Sequence, residues 1–293
     1  MAEVTASLVK ELRERTGLGM MECKKALQEA GADIELAIDN LRKSGQAKAA
    51  KKAGNIAADG AIVVALNADG RSGLLLEVNC QTDFVARDAG FTAFSQQVAQ
   101  LALTAGVTDI TAISALPMGE VSIEEARVAL VQKIGENIQL RRAERIDGEL
   151  VVSYIHGLKI GVLLALQGGD AALGRDLAMH VAAANPMVVA ADQVPADVVA
   201  KEREIYAAKA KESGKPEAIV EKMIEGSLKK FMAEVSLVEQ GFVKDPETRV
   251  GDLLRKSGAA VQRFIRFQVG EGIEKKVVDF ASEVAAAAAA VKA

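Results

Sequence analysis

The sequence predicts an α+β protein with four parts: an N-terminal three-helix bundle, a core of two related hairpin-plus-helix units, an antiparallel helical hairpin inserted into the second unit, and a C-terminal helix. Three observations lead there. Apolar residues recur every three or four positions before Gly54, the period of short amphipathic helices. Two apolar runs joined by turn residues, each followed by a helical period, appear twice. A charged, weakly apolar helix pair then separates the second unit from a closing strand.

In the bundle, Val4, Leu8 and Leu12 share one helical face, and Gly17 is placed to end that helix. Met20, Cys23, Leu27 and Ala30 give a second face, although Met20 and Met21 cannot both point inward. Asp33 can cap a third helix carrying Ile34, Ala37, Ile38 and Leu41. From Gly45 to Gly54, Lys48, Lys51 and Lys52 lie among alanines in a stretch that could be helical, but the bounding glycines suit a solvated basic linker. A bundle this small has little stability of its own. The first division expected is therefore 1–54, helical domain plus linker.

Ala61–Leu66 and Leu74–Asn79 flank Asn67-Ala68-Asp69-Gly70, which is turn chemistry, so they read as a hairpin. Its second strand gives way, without Gly or Pro, to Cys80-Gln81-Thr82-Asp83-Phe84-Val85. Thr82 or Asp83 supplies a side-chain oxygen suited to cap a helix there, which puts Phe84 in the first turn. A helix start beside a strand end lies at the surface, and a chain with 3% aromatic residues has few rings to spare for such a place. Phe84 either packs back as a hydrophobic staple or is displayed outward.

Phe94, Val98, Leu101 and Ala105 then share a helical side, and Ser122-Ile123-Glu124-Glu125 has capping-box spacing before Val128, Val131 and Ile134. Gly135–Arg142 alternates like a half-buried strand, closing a unit over 55–147.

The second unit repeats the plan with Leu150–Ile155, a turn at His156-Gly157, Ile160–Leu166, and a helix through Leu173, Leu177, Val181 and Ala184 that stops at Asn185-Pro186. Gly161-Val162-Leu163-Leu164-Ala165-Leu166 aligns with Gly73-Leu74-Leu75-Leu76-Glu77-Val78. The second copy continues Gln167-Gly168-Gly169-Asp170 where the first has Cys80-Gln81-Thr82-Asp83, so only the first gains the Phe84 turn. Were that turn needed merely to close the unit, both copies would carry one. The comparison therefore favours display.

Asp192–Glu212 and Pro216–Lys230, broken by Ser213-Gly214-Lys215-Pro216, predict a protruding helical hairpin over 187–230 with a thin seam of Val198, Ile205, Ile219 and Met223. The second unit, 148–186 with 231–270, is completed by a short helix capped by Thr248 and a strand whose Val261, Ile265, Phe267 and Val269 share a face, Arg263 being the exception. The tail, 271–293, is amphipathic through Ile273, Val277, Phe280 and Val284, then alanine-rich.

Composition narrows function. At 293 residues, 50% hydrophobic and 26% charged, the chain suits a globular protein of two or more compact units. A net charge of −4 argues against affinity built on neutralising DNA or RNA phosphates. Cys23 and Cys80 lie far apart without metal-ligand spacing, and read as reduced thiols; no cofactor or metal is expected. No stretch reaches the ~18 apolar residues of a membrane span. The N-terminal Met-Ala-Glu-Val-Thr lacks a basic region before an apolar run, so a cytoplasmic location is expected, with organellar origin disfavoured. Gly17-Leu18-Gly19 lies between helices and lacks a third glycine, and Gly214-Lys215 has Lys209 where a phosphate loop needs glycine. His180 reads as structural, and neither it nor His156 has the neighbours of a catalytic triad.

Glu77-Val78-Asn79-Cys80-Gln81-Thr82-Asp83-Phe84-Val85-Ala86-Arg87 resembles a signature of bacterial elongation factor Ts, the nucleotide-exchange factor of elongation factor Tu. Leu12-Arg13-Glu14-Arg15-Thr16-Gly17-Leu18-Gly19-Met20-Met21-Glu22-Cys23-Lys24-Lys25-Ala26-Leu27 resembles its second signature, and the likeness runs from Met1 to about Asp279. The resemblance implies a ubiquitin-associated-like opening bundle, a coiled-coil insertion serving subunit association, and a partner-binding C-terminal helix. It implies a non-enzymatic exchange factor that binds elongation factor Tu both with GDP and without nucleotide. Thr82, Asp83, Phe84 and Val85 would dislodge the partner's Mg²⁺, while Arg13, Met20, Met21, Lys24, Ile134, Gly135 and His156 would make further partner contacts. The rival expectation is a structural or RNA-associated protein docking through its helical modules.

Overall fold

The computed structural model describes residues 3–211 and 216–274. Helices α1 (Ala6–Thr16), α2 (Met20–Glu29) and α3 (Ile34–Lys52) form the bundle. The Thr5 and Asp33 side chains accept from the N–H groups of Leu8 and Leu36, and Gly17 ends α1 at φ 68°. Leu12, Leu18, Cys23, Ala26, Leu27, Ala37 and Leu41 fill its core. Met20 does not join them, because Ala26 takes the inward position and leaves the methionine exposed.

The linker expected at Gly45–Gly54 is instead the second half of α3. Glycine serves contact here rather than flexibility. A Cβ on Gly45 would sit 2.4 Å from Gln132 Oε1 on α7 (Ile123–Ile134), so a bare backbone lets the two helices cross closely. Ala49 is buried in the core beyond, Lys48 pairs with Glu22, and Lys51 and Lys52 lie in the last turn, where the helix dipole favours cations.

The α+β class is as expected, and the core is a pair of three-stranded antiparallel sheets. The first has order β1 (Asp59–Leu66), β2 (Ser72–Cys80), β5 (Gln139–Asp147); the second has β6 (Leu150–His156), β7 (Ile160–Gln167), β10 (Ala260–Gln268). Strand β2 is buried from end to end. Leu74, Leu76, Val78 and Cys80 face α4 (Asp83–Ala86), α5 (Ala89–Ala105), α6 (Ile110–Ala115) and α7, whereas Leu75 meets Leu163, Ala165, Ile265 and Phe267 of the other sheet. On the far side, α8 (Ala171–Ala184) and α11 (Val250–Lys256) cover the second sheet.

The two halves repeat one another in detail. A Cβ on Gly161 would lie 2.4 Å from Ile62 and 2.9 Å from Leu75; one on Gly73 would lie 3.0 Å from Leu163 and 3.1 Å from Val151. These are reciprocal pairs under the alignment of the two central strands, so each half is bared where the other presses on it. Even the irregularity is shared: Glu77 pairs with Arg142 and Ala165 with Arg263, each beside a bulge. Where the first half meets its arginines with Glu77, the second has alanine, and Arg263 bonds Glu144 of the other sheet instead.

Glu77 is fully buried. Its Oε1 accepts from Arg141 (2.9 Å), Asn79 (3.1 Å) and the Gly270 N–H (2.8 Å), and its Oε2 from Arg142 (2.6 Å), whose guanidinium lies 4.2 Å from the Phe267 ring centre. Burial works against this charge, but the Gly270 N–H, both arginines and Asn79 outweigh it and hold the carboxyl below its usual range.

Several local expectations are corrected. Strand β5 begins at Gln139, because Gly135 is spent capping α7 at φ 86°. The Thr248 hydroxyl donates to Asp245 rather than capping α11, whose N-cap is Arg249. The bulge after Val261 turns that residue to the helix side with Phe264, while Ile265, Phe267 and Val269 face the other sheet. The capping box of Ser122 and Glu125 forms as read, next to the small hairpin of β3 (Pro117–Met118) and β4 (Val121–Ser122).

The chain leaves the second unit at Met187 and returns at Leu237. There Met187 N–H bonds Val235 carbonyl (2.8 Å) and Leu237 N–H bonds Val188 carbonyl (2.9 Å), closing the base of an insertion. Its helices α9 (Ala196–Lys211) and α10 (Glu217–Val235) pack through Val199, Tyr206, Ala210, Val220, Ile224 and Leu228. Ile205, Ile219 and Met223, expected in that seam, lie on the open side instead: the helices meet one residue further round. Of the breaker expected at 213–216 all but Pro216, and of the tail helix expected over 271–293 all from 275 on, lie outside the described residues.

Strands β8 (Gly241–Phe242) and β9 (Asp245–Arg249) complete the second unit beside His180. The buried His180 ring accepts from Val243 N–H at Nδ1 (3.1 Å) and so donates from Nε2 to Gln240 (2.9 Å), and burial lowers its pKa. It is structural, as the sequence suggested. Among the described residues no helix is long and apolar enough to cross a membrane.

Candidate functional site: a braced turn at the end of the central strand

Strand β2 ends at the buried Cys80, and the chain reaches the surface in the one-turn helix α4 that follows. Thr82 is its N-cap, extended at φ −126° and ψ 155°, with its hydroxyl oxygen accepting from Val85 N–H (3.4 Å). Two residues after α4 ends, Asp88 caps α5, accepting from Gly90 (2.8 Å) and Phe91 (3.0 Å) N–H groups. Val85 and Ala86 turn into the first core, so successive residues of so short a helix cannot all follow them. Phe84 is left outside at 83% exposure, the most exposed large apolar side chain among the described residues. It is no staple. Leaving a ring in water forgoes about 1.5–3 kcal/mol of burial, so the fold gains nothing from it.

The backbone beneath the ring is pinned. Glu136 Oε2 accepts from the Gln81 and Thr82 N–H groups at 3.1 Å each, and Oε1 accepts from the Thr82 hydroxyl at 2.8 Å. The Cys80 thiol donates to the Thr82 carbonyl (3.1 Å), and Asn55 donates to the Gln81 side chain (3.2 Å). Asp83 makes a surface pair with Arg87 at 3.5 Å and remains half exposed. The sequence reading missed Glu136, since a carboxylate in a polar stretch bears no local mark of a partner 54 positions away.

Burial pushes the Cys80 thiol up to about 12, with the Glu136 and Asp59 carboxylates adding to the shift. The thiolate is the reactive form. Cys80 is therefore expected to resist a maleimide at pH 8 in the folded protein and to react once denatured, as peptide mass spectrometry would read. Equal labelling in both states would contradict the buried, hydrogen-bonded thiol. By linkage, its contribution to stability is full below the unfolded value of about 8.5 and is lost as pH rises toward the folded one.

Three other expected contacts, Ile134, Gly135 and His156, lie on segments joined to this turn. Gly135 immediately precedes Glu136, exposed at the end of α7, with Ile134 half-buried against the first core. The exposed His156 ends β6, its ring stacked on Tyr154 at 6.3 Å. Its turn abuts the start of β1, through Leu158 carbonyl to Ile62 N–H (2.9 Å) and Lys159 to Asp59 (2.5 Å), and Asp59 pairs with Cys80. Arg13, Met20, Met21 and Lys24 lie elsewhere, exposed on α1 and α2, the two methionines at 60% and 75%. A cleft of about 730 Å³ lies beside the crossing of α3 and α7, lined by Leu41, Ala49, Glu124, Arg127 and Val128 among others, and none of the expected site residues borders it. Among the described residues no group of three or more His, Cys, Asp or Glu side chains could hold a metal ion.

Fold and site together define an α+β protein whose mark is an exposed ring on a braced turn rather than a pocket. Comparison with known proteins gives the family. The family described as Elongation factor TS matches residues 81–271. The chain is 62% identical over 291 residues to Elongation factor Ts of Psychrobacter sp. (strain PRwf-1), covering 99% of each chain. It is 61% identical over 294 residues to Elongation factor Ts of Acinetobacter baumannii (strain AYE), covering 100% of each. The chain belongs to the elongation factor Ts family, and with it to the nucleotide-exchange factors of translation.

Proposed function

We propose that this chain docks on elongation factor Tu in the cytoplasm and expels GDP by wedging the Thr82–Val85 turn beside the partner's Mg²⁺ site. The observation that carries this reading is Phe84, bare at 83% exposure above a backbone fixed by Glu136 and Cys80.

GDP is held by backbone N–H groups and by a Mg²⁺ ion that offsets the diphosphate charge. Disturbing the ion's coordination weakens the nucleotide without covalent chemistry. Phe84 fills an apolar slot and Asp83 enters with it; Thr82 fixes the turn and Val85 seats it in this protein's own core. The displacement dislodges ion and phosphate loop, and GTP can then bind. The protein holds neither nucleotide nor metal itself.

Coupling is reciprocal: a factor that loosens GDP must bind the empty partner more tightly, at about 1.4 kcal/mol for each tenfold. Arg13, Met20, Met21 and Lys24 contribute by docking the bundle on the nucleotide-binding domain, and Ile134, Gly135 and His156 by contacts beside the wedge. The open side of α9 and α10, with Ile205, Ile219 and Met223, suits self-association. Release of fluorescent GDP from elongation factor Tu, with and without this chain, tests the reading. Markedly faster release supports it, and an unchanged rate leaves the structural or RNA-associated alternative.

A further inference from the structure

Helix α4 is four residues long, too short to hold any pose by its own hydrogen bonds. The strand ladder that carries β2 ends at Cys80, so beyond it the Gln81 and Thr82 N–H groups have no strand partner. Both donate to one carboxylate, which also takes the Thr82 hydroxyl. Hydrogen bonds to an ionised acceptor are the strong kind, and here both oxygens are used.

The carboxylate's own position is fixed from both sides. Gly135, at φ 86°, is in a left-handed conformation that a side chain would strain, so the corner out of α7 is set by backbone. Asn137, buried, donates to the Asn55 carbonyl (2.8 Å), and the Ile138 carbonyl accepts from Arg127 (2.7 Å). We propose that Glu136 is the positioning residue of the exchange turn: it fixes the Thr82 backbone, thereby the direction of Phe84, and joins the turn to the Ile134–Gly135 corner as one presenting unit. The inference rests on the exchange reading above and gives it a residue that touches no partner atom.

A double-mutant cycle on GDP release tests it. Glu136→Ala is expected to lower the stimulated rate about tenfold, yet to change it less than about twofold when Phe84 is already alanine, because the two act through one contact. Glu136→Gln should recover most of the rate: its amide oxygen can accept from the two N–H groups and its NH₂ can donate to the Thr82 oxygen. Effects that multiply independently, or an unchanged rate for Glu136→Ala, would overturn the proposal.

Amide hydrogen exchange supplies a readout separate from activity. In Glu136→Ala, Gln81 and Thr82 should lose protection while Leu74–Val78 keep theirs; retained protection at Gln81 and Thr82 also overturns the proposal. If Phe84→Ala stimulates as well as the parent chain, the exchange reading fails, whatever the amides show. Should Glu136→Ala not fold, Glu136→Asp, which withdraws the carboxylate by one methylene, takes its place in the cycle. A slower rate that depends on Phe84 then supports the proposal, and an unchanged rate overturns it.

Discussion

Phe84→Ala is expected to leave the protein folded and nearly as stable, while cutting its stimulation of GDP release by roughly ten- to a hundredfold. The first half follows from exposure. A ring 83% open to solvent contributes little packing, and surface substitutions of this kind usually fall within about 0.5 kcal/mol. The second follows from the proposed slot, since burying a Phe is worth about 1.5–3 kcal/mol and each tenfold in rate corresponds to about 1.4. An interaction made only as the nucleotide leaves acts on the maximal rate rather than on the concentration giving half effect. Stopped-flow release at saturating factor, beside a thermal melt, decides the matter. A variant that unfolds places the ring in the core; one that exchanges at the parental rate removes it from the mechanism.

Gly161→Ala is expected to cost about 1–3 kcal/mol, the usual range for overpacking a core, which lowers the melting temperature by roughly 3–10 °C. The added methyl would arrive 2.4 Å from Ile62 Cγ2 and 2.9 Å from Leu75 Cδ2, both from side chains at most 1% exposed. Ile62 is β-branched and held in its strand, so it has little freedom to swing away. Gly73→Ala should cost less, because its nearest obstacle is the end of the more open Leu66 at 2.8 Å. Adding Ile62→Ala to Gly161→Ala should cost less than the sum of the two single changes, since it clears the clash. Melts of the singles and the double check this. A Gly161→Ala protein as stable as its parent would mean the sheets are not so tightly apposed.

What was legible in the sequence had local causes. The run Leu74–Val78 announced a mostly buried strand, Thr82 or Asp83 a cap, which proves to be Thr82, and Ser122 with Glu125 a reciprocal one. Aligning Gly161 with Gly73 made the two units legible as copies, but that both glycines answer the same crowding between the sheets shows only in the folded chain. What escaped depended on distant partners. Gly45 looked like a break in the chain, yet it lets one helix cross another at Gln132. The parity of Val261 was lost to a bulge, and Arg249 rather than Thr248 came to cap α11. At the site, Phe84 was conspicuous as a ring at a strand end that the second copy lacks. Glu136 was not, since its role exists only once a turn 54 residues earlier has been folded against it.

A turn whose Thr82 amide and hydroxyl are already matched by Glu136 has no ordering step left to perform at encounter. Under the proposed wedge mechanism, collision with the partner need not wait for a loop to close, so arrival would be limited by orientation and diffusion. Departure on the same mechanism would be correspondingly simple, since the ring would only have to be rewetted. A factor built this way would cycle from one partner to the next in the conformation it already holds.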